Sequence, residues 1–507
     1  MSFTPKSRTL AHLLAVLLTL PLLCACSSSS SDELAATPIP DTPTSPDYYI
    51  NLSIVVSSGN EGTMRAPSGG ENGDGREPGL SRENAVTGIT LLLYKYDEED
   101  GINMPSTSTT TFAFVKYYKV NGPENGTGDI EAVYTTGNQP LKNSGLELNK
   151  TYHAIVVANC DLTGDVTTET KVVDFREKQQ DIIYSGSGTS DGKTGIGVNA
   201  YNFVMASERD FDFTLQNPKS ETIDGKPALV YTLDAIVIER LAARVDFWMT
   251  RATYSENYHG HQGYVYDVDG CNDKFVLTAV TPFNLYNDTE YLIKRINEGG
   301  QIKYLGRESN ISNSYDKYVI DPKTVDKLMS GTTPPHDFYD NPLSSFNTTA
   351  NAYRQTTKML HDNKSEEQKS QYAKFEGIGN GIDNFILCYP KENTLMLASP
   401  LYYFATGVAI EGYYYKEGET EGTPYTYFGF LRHQGEKDSG FYAIKAQEDL
   451  TPEDVGSQTT AMNFGVVRNN IYRISIESIT KKGEDPAIKL QIKVKKWDTF
   501  THETIYM

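Results

Sequence analysis

The chain has 507 residues, 38% of them hydrophobic, enough to bury a sizeable core and fill two domains rather than stay disordered. Its formal net charge of -20 and sequence pI near 4.9 argue against nucleic acid and anionic lipid surfaces as partners. Tyr (34) far outnumbers Trp (2), and β-branched and aromatic residues recur between Gly, Asn and Asp, so strands are expected rather than helical bundles.

Lys6 and Arg8 precede an apolar run at 10–23 that is too short for a comfortable membrane span, so residues 1–25 read as a signal peptide. The run ends Leu23-Cys24-Ala25-Cys26, which resembles a bacterial lipobox. Cys26 is the better lipid acceptor, because Leu23 immediately precedes Cys24. Export as a lipoprotein precursor is therefore expected, and the serine run before Asp32 and Glu33 resembles signals that send bacterial lipoproteins to the outer membrane and the cell surface. Residues 26–47 are rich in Ser, Pro and Thr and read as a flexible tether. Beyond it Cys160, Cys271 and Cys388 have no CxxC spacing, which speaks against a disulfide framework or a zinc knuckle.

Residues 47–66 combine a strand, a glycine-bearing turn and an arginine followed by alanine. Ile50, Leu52, Ile54 and Val56 alternate with Asn51, Ser53, Val55 and Ser57, the period of a half-buried strand. Residues 59–81 have no apolar periodicity and are expected to form an exposed loop open to a protease, with Arg65 and Ala66 at its mouth. The expectation is that a cut after Arg65 releases the strand and that a strand from another molecule fills the vacancy. Arg76 and Arg82 read as further exposed cut sites, each leaving a longer stub.

Residues 88–96 (GITLLLYKY) read as a central strand, expected to pair near Ile50 to Val56. Strands follow at 109–120 and 148–160, and 230–247 supplies two more strand-like runs. This suits a β-sandwich over 48–248. Two motif matches fail on context. Gly188-Thr189-Ser190-Asp191-Gly192 fits the GxSxG spacing of a serine hydrolase but has Ser-Gly flanks instead of a strand and a helix, and Gly192-Lys193-Thr194 lacks the earlier glycine of a phosphate loop.

In the second half, 249–507, His259 and His261 point to one strand face but find no third ligand cluster, so a surface turn is expected. Asp267-Val268-Asp269-Gly270 has its glycine too early for a calcium loop, and position twelve is Thr278. Asp321-Pro322 suits a short helix start, and the polar stretch 347–374 reads as an insertion between strands. Strand composition resumes at 402–415 and 425–433. Near the end, Ile488, Leu490, Ile492 and Val494 alternate with Lys489, Gln491, Lys493 and Lys495, echoing 50–56, and Trp497 and Phe500 continue the apolar theme. No acid pair, nucleophile arrangement or metal set survives inspection, so neither an enzyme nor a cofactor is expected.

Three segments in order, Tyr152 with Val156-Val157-Ala158-Asn159, Phe203-Val204-Met205-Ala206-Ser207, and Arg240-Leu241-Ala242-Ala243-Arg244-Val245, resemble core segments of the fimbrillin family. These are the pilin lipoproteins of Bacteroidales fimbriae. The stretch Arg468-Asn469-Asn470-Ile471-Tyr472, followed by Ile474, Ile476 and Ile479, is similar to the hallmark of their C-terminal domain. The resemblance implies two transthyretin-like β-sandwich domains with small helical insertions, and a stalk subunit supporting adhesion and biofilm formation. It also implies that C-terminal strands of one copy, from Ile488, Leu490, Ile492, Val494, Trp497 and Phe500, occupy the groove left in the next. The partners implied are other copies, accessory pilins and an arginine-specific protease. A tip adhesin or anchor of the same pilus is one alternative. A surface glycan-binding lipoprotein, using its tyrosines to stack on sugars, is the other.

Overall fold

The computed structural model describes residues 37–39, 46–56, 76–95, 101–120, 133–180, 202–286, 289–298, 301–304, 317–319, 339–340, 343, 346, 353–362, 383–394, 404–433, 441–445 and 464–498. The described fold is all-β, with short α-helices only at Val172–Phe175 and Thr357–Asp362.

The first domain is organised by a ten-stranded sheet. Its main order is Phe112–Lys119, Gly88–Tyr94, Thr151–Ala158, Met205–Ser207, Lys226–Arg240, Asp47–Val56 and Val133–Thr135. Gly88–Tyr94 is buried along its whole length, as its unbroken apolar run requires of a strand covered on both faces. It does not pair with Asp47–Val56, as the sequence suggested. It pairs antiparallel with Phe112–Lys119 and Thr151–Ala158, and three strands separate it from Asp47–Val56. Phe112–Lys119 is the next described strand in the chain, and consecutive strands commonly lie side by side. Ile50, Leu52 and Ile54 nevertheless share one apolar cluster with Leu91, Leu93, Ile155 and Val157.

The second domain stacks two sheets. One runs Asn384–Cys388, Arg244–Trp248, Asn470–Lys482, Asp485–Asp498 and Arg76–Pro78; the other runs Ala252–Tyr258, His261–Asp267, Lys274–Phe283, Gly407–Tyr415 and Thr423–Phe430. Their inner faces interdigitate, with Phe247, Ile474, Leu490 and Ile492 from the first against Phe275, Leu277, Ile410 and Tyr427 from the second. The two longest strands of the first sheet meet at Gly483, whose positive φ of 68° lets a two-residue turn reverse the chain.

Arg244–Trp248 pairs with Asn470–Lys482 and Asn384–Cys388, so the chain changes sheets at Leu241-Ala242-Ala243 rather than after Trp248. The side chains there are small because three backbones cross. Ala243 donates its N–H to Pro390 O at 2.9 Å, and Ala242 O accepts the N–H of Asn469 at 2.8 Å. Asn469 takes a positive φ of 57°, the turn conformation that lets the strand from Asn470 begin sharply.

Candidate functional site

The site is the seat of the first strand. Asp47–Val56 runs parallel to Lys226–Arg240, with Ile50 opposite Tyr231, Leu52 opposite Leu233 and Ile54 opposite Ile236. On its other side Ser53, Ile54 and Val55 pair antiparallel with Val133–Thr135, and Tyr49 and Ile50 with Gln139–Pro140. The strand thus has a neighbour on each flank, an interior position in the sheet.

Alternation decides which side chains the seat holds. Ile50, Leu52 and Ile54 are all 0% exposed, while Asn51 and Ser53 are half-buried. Polar ends register the strand. Leu52 donates its N–H to Thr136 Oγ1 at 3.1 Å and accepts the Thr136 N–H at 3.1 Å; Leu141 donates its N–H to Tyr48 O at 2.8 Å. Tyr48 stacks on Tyr231 with ring centroids 6.4 Å apart. Burial, reinforced by Tyr48, pushes the Tyr231 hydroxyl up to about 12, so Tyr231 stays neutral at physiological pH.

Cys26, Arg65, Ala66 and Phe500 lie outside the described residues. Val56 pairs by its backbone with Ile238, at the end of the seat. Ile488, Leu490, Ile492 and Val494 belong to Asp485–Asp498, the strand that closes the second domain. They are 0–2% exposed and pair antiparallel with Asn470–Lys482 in their own chain. Trp497 pairs by its backbone with Glu77 in Arg76–Pro78.

Arg76 is therefore in a strand, and Arg82 is half-buried in the 3₁₀ turn Ser81–Glu83 with its Nη2 3.4 Å from Tyr389 Oη. Neither matches the free loop expected of them.

A buried polar cluster beside this turn was not expected. Glu83 Oε2 accepts from Arg244 Nη1 at 3.1 Å and from the Leu80 N–H at 2.7 Å, and Glu83 Oε1 accepts from the Tyr389 hydroxyl. Arg244 also grips Asp246 with two bonds, at 2.9 and 2.8 Å. Arg240 donates to Glu83 O at 3.1 Å, to Asn469 Oδ1 at 3.1 Å and to Asn84 Oδ1. Two cations face two carboxylates, so burial leaves no net charge among them. Burial, with Glu83 adding to it, holds the Tyr389 hydroxyl well above its ordinary range. A neighbouring cluster joins Arg468 to Glu392 at 3.1 Å and Lys294 to Glu239 at 3.1 Å. The sequence signal was available: Arg240 and Arg244 flank Leu-Ala-Ala between two strand-like runs, where a buried charge needs a partner.

The other motifs resolve simply. His259 and Gly260 take positive φ in the hairpin turn between Ala252–Tyr258 and His261–Asp267. His261 stacks on Tyr413 with centroids 3.6 Å apart. Among the described residues no group of three or more His, Cys, Asp or Glu could hold a metal, and Cys160, Cys271 and Cys388 are free thiols. The stretch holding Gly188 to Thr194, and Asp321-Pro322, lie outside the described residues.

No protein-family model and no curated protein matches the chain. Solved structures do. A candidate cell adhesion protein from Parabacteroides distasonis superimposes with a TM-score of 0.38 at 13% identity, covering 89% of this chain and 100% of its own. The tip fimbrial protein Mfa3 from Porphyromonas gingivalis gives 0.35 at 10% identity, covering 89% and 100%. A fimbrilin, FimA, from Porphyromonas gingivalis gives 0.32 at 13% identity, covering 89% and 99%.

Proposed function

We propose that this chain is a pilin, a non-enzymatic structural subunit of a bacterial surface fimbria, and that it polymerises by exchanging its first strand. It is exported as a lipoprotein anchored through Cys26 in the outer membrane. An arginine-specific protease cuts after Arg65, the strand Asp47–Val56 leaves, and a C-terminal strand of another copy takes its seat. The assembled fibre supports adhesion.

One observation carries this reading. Asp47–Val56 fills an interior position of its sheet, yet the chain between it and the next described strand, residues 57–75, contains the Arg65-Ala66 bond. Parallel pairing adds to the case. The neighbour Lys226–Arg240 is far away in sequence, so the strand enters the sheet as a separate piece rather than as half of a hairpin. While covalently attached, the strand competes for its seat at high local concentration and keeps copies apart; cutting removes that advantage.

The test is direct. Purified full-length protein treated with an arginine-specific protease should give ladders that survive mild heating in detergent, with fibres in micrographs. Monomer that persists after complete cleavage refutes the proposal.

A further inference from the structure

The chain that follows the first strand is next described in the second domain's sheet. After residues 57–75 it lies at the edge of the second domain's sheet, where Arg76–Pro78 runs parallel to Lys496, Trp497 and Asp498. It then enters the turn at 79–84, whose Leu80 and Glu83 are buried, before starting Gly88–Tyr94 in the first domain. We propose that the turn at 79–84 is a latch. It stops proteolysis from upstream before Arg82 and keeps the two domains joined as one body when the first strand departs. Its biological use rests on the fimbrial reading above, but the latch itself does not.

The geometry gives the turn one anchor in each domain. Glu83 binds Arg244 at 3.1 Å, and Arg244 starts the second domain's strand Arg244–Trp248. The Glu83 carbonyl and the Asn84 side chain bind Arg240, which ends the first domain's strand Lys226–Arg240. Tyr389 and Asn469 close the cluster from two further segments of the second domain.

A protease must draw several residues on both sides of a bond into an extended form. At Arg82–Glu83 the backbone is instead wound into a turn, with the N–H groups of Glu83 and Asn84 on Leu80 O at 2.8 and 3.1 Å. Opening it withdraws the Glu83 carboxylate from the buried cluster and leaves Arg240, Arg244 and Asp246 with one excess positive charge, which is costly in a buried setting. Arg76 lies in the three-residue edge strand Arg76–Pro78, upstream of the turn, and marks the furthest point at which trimming stops.

The experiment follows cleavage of purified full-length protein by an arginine-specific protease, reading the new N-termini by mass spectrometry over time. The native protein should yield N-termini at Ala66 or Glu77 and keep the Arg82–Glu83 bond intact. Glu83→Ala should open that bond about 100-fold faster or more, the rate following the population of the opened turn. Cleavage after Arg82 in the native protein as fast as after Arg65 overturns the latch, and so does a folded Glu83→Ala variant that resists equally. If Glu83→Ala loses its β-sheet circular dichroism, the native time course decides alone. An intact Arg82–Glu83 bond in protein that never forms ladders supports the latch and counts against the fimbrial reading.

Discussion

Replacing Leu52 by Ala isolates the strength with which the first strand holds its seat. Leu52 is 0% exposed and lies at the middle of the strand, opposite Leu233. Truncating a buried leucine costs roughly 2 to 5 kcal/mol, the transfer of the lost methyl groups plus the cavity they leave. Because every 1.4 kcal/mol is a factor of ten, the lower bound alone weakens retention about 30-fold. Before cleavage the cost appears as a lower unfolding temperature. After cleavage it should appear as faster departure of the fragment ending at Arg65, followed by size exclusion and mass spectrometry, and as earlier polymers. Ser53→Ala, at a half-buried position on the opposite face, should change neither by more than about 0.5 kcal/mol. If Leu52→Ala lowers the unfolding temperature but leaves both departure and polymer onset unchanged, strand release does not limit assembly and the argument fails.

Arg65→Ala should leave full-length lipoprotein and no fibres in protease-treated samples; fibres of normal yield would move the cut elsewhere. Ala243→Leu forces a large side chain into a fully buried crossing of backbones and should cost about 1 to 3 kcal/mol in urea unfolding, through overpacking. Asp273 accepts the Tyr414 hydroxyl and, at 2.8 Å, the Glu417 N–H, and these bonds outweigh burial to push its carboxyl down to about 2. A carboxyl depressed by folding adds stability above its ordinary value of about 4, and that stability is lost as pH falls through the window down to about 2. Asp273→Asn should therefore flatten the acid limb of the stability curve between those values, while an unchanged limb would assign acid sensitivity to other groups.

Local periodicity was legible in the sequence; partner choice was not. The alternation of Ile50, Leu52 and Ile54, and of Ile488 to Val494, is a two-residue pattern set by pleat geometry, and both runs bury the faces it names. Asn469-Asn470 announced its turn because few side chains tolerate positive φ. Which strand lies beside which depends on contacts distant in sequence. Gly88–Tyr94 was expected beside Ile50 to Val56, but it lies between Phe112–Lys119 and Thr151–Ala158, and an unbroken apolar run does not say which strands flank it. The change of sheet at Leu241-Ala242-Ala243 falls between two strand-like runs with no glycine, proline or asparagine to mark it. Glu83 was hidden for the opposite reason: a carboxylate in a polar stretch reads as solvated unless its cation, here Arg244, is known to be beside it.

The two halves of the C-terminal region stand differently toward exchange. Ile488, Leu490, Ile492 and Val494 match the seat of Ile50, Leu52 and Ile54 in pattern, but they already fill their own domain. Withdrawing them would expose four aliphatic side chains at roughly 1.5 to 3 kcal/mol each, about 6 to 12 kcal/mol before the ladder to Asn470–Lys482 is counted. Refilling a vacated seat returns a similar sum, so such a swap is close to balanced overall but crosses a high barrier. A cross-link separates the two. Ser475 and Gln491 are half-buried register partners on the outer side of these strands, so Ser475→Cys with Gln491→Cys, in a Cys271→Ser background, can tie the closing strand at home. Oxidised protein that still forms ladders after cleavage assigns donation to residues 499–507. Ladders that appear only after reduction assign it to Ile488, Leu490, Ile492 and Val494. Ladders blocked in both states, with the unlinked Cys271→Ser control polymerising normally, mean that the substitutions themselves disable the donor strand, and since residues 499–507 are untouched by them, that outcome also places the donor in the closing strand.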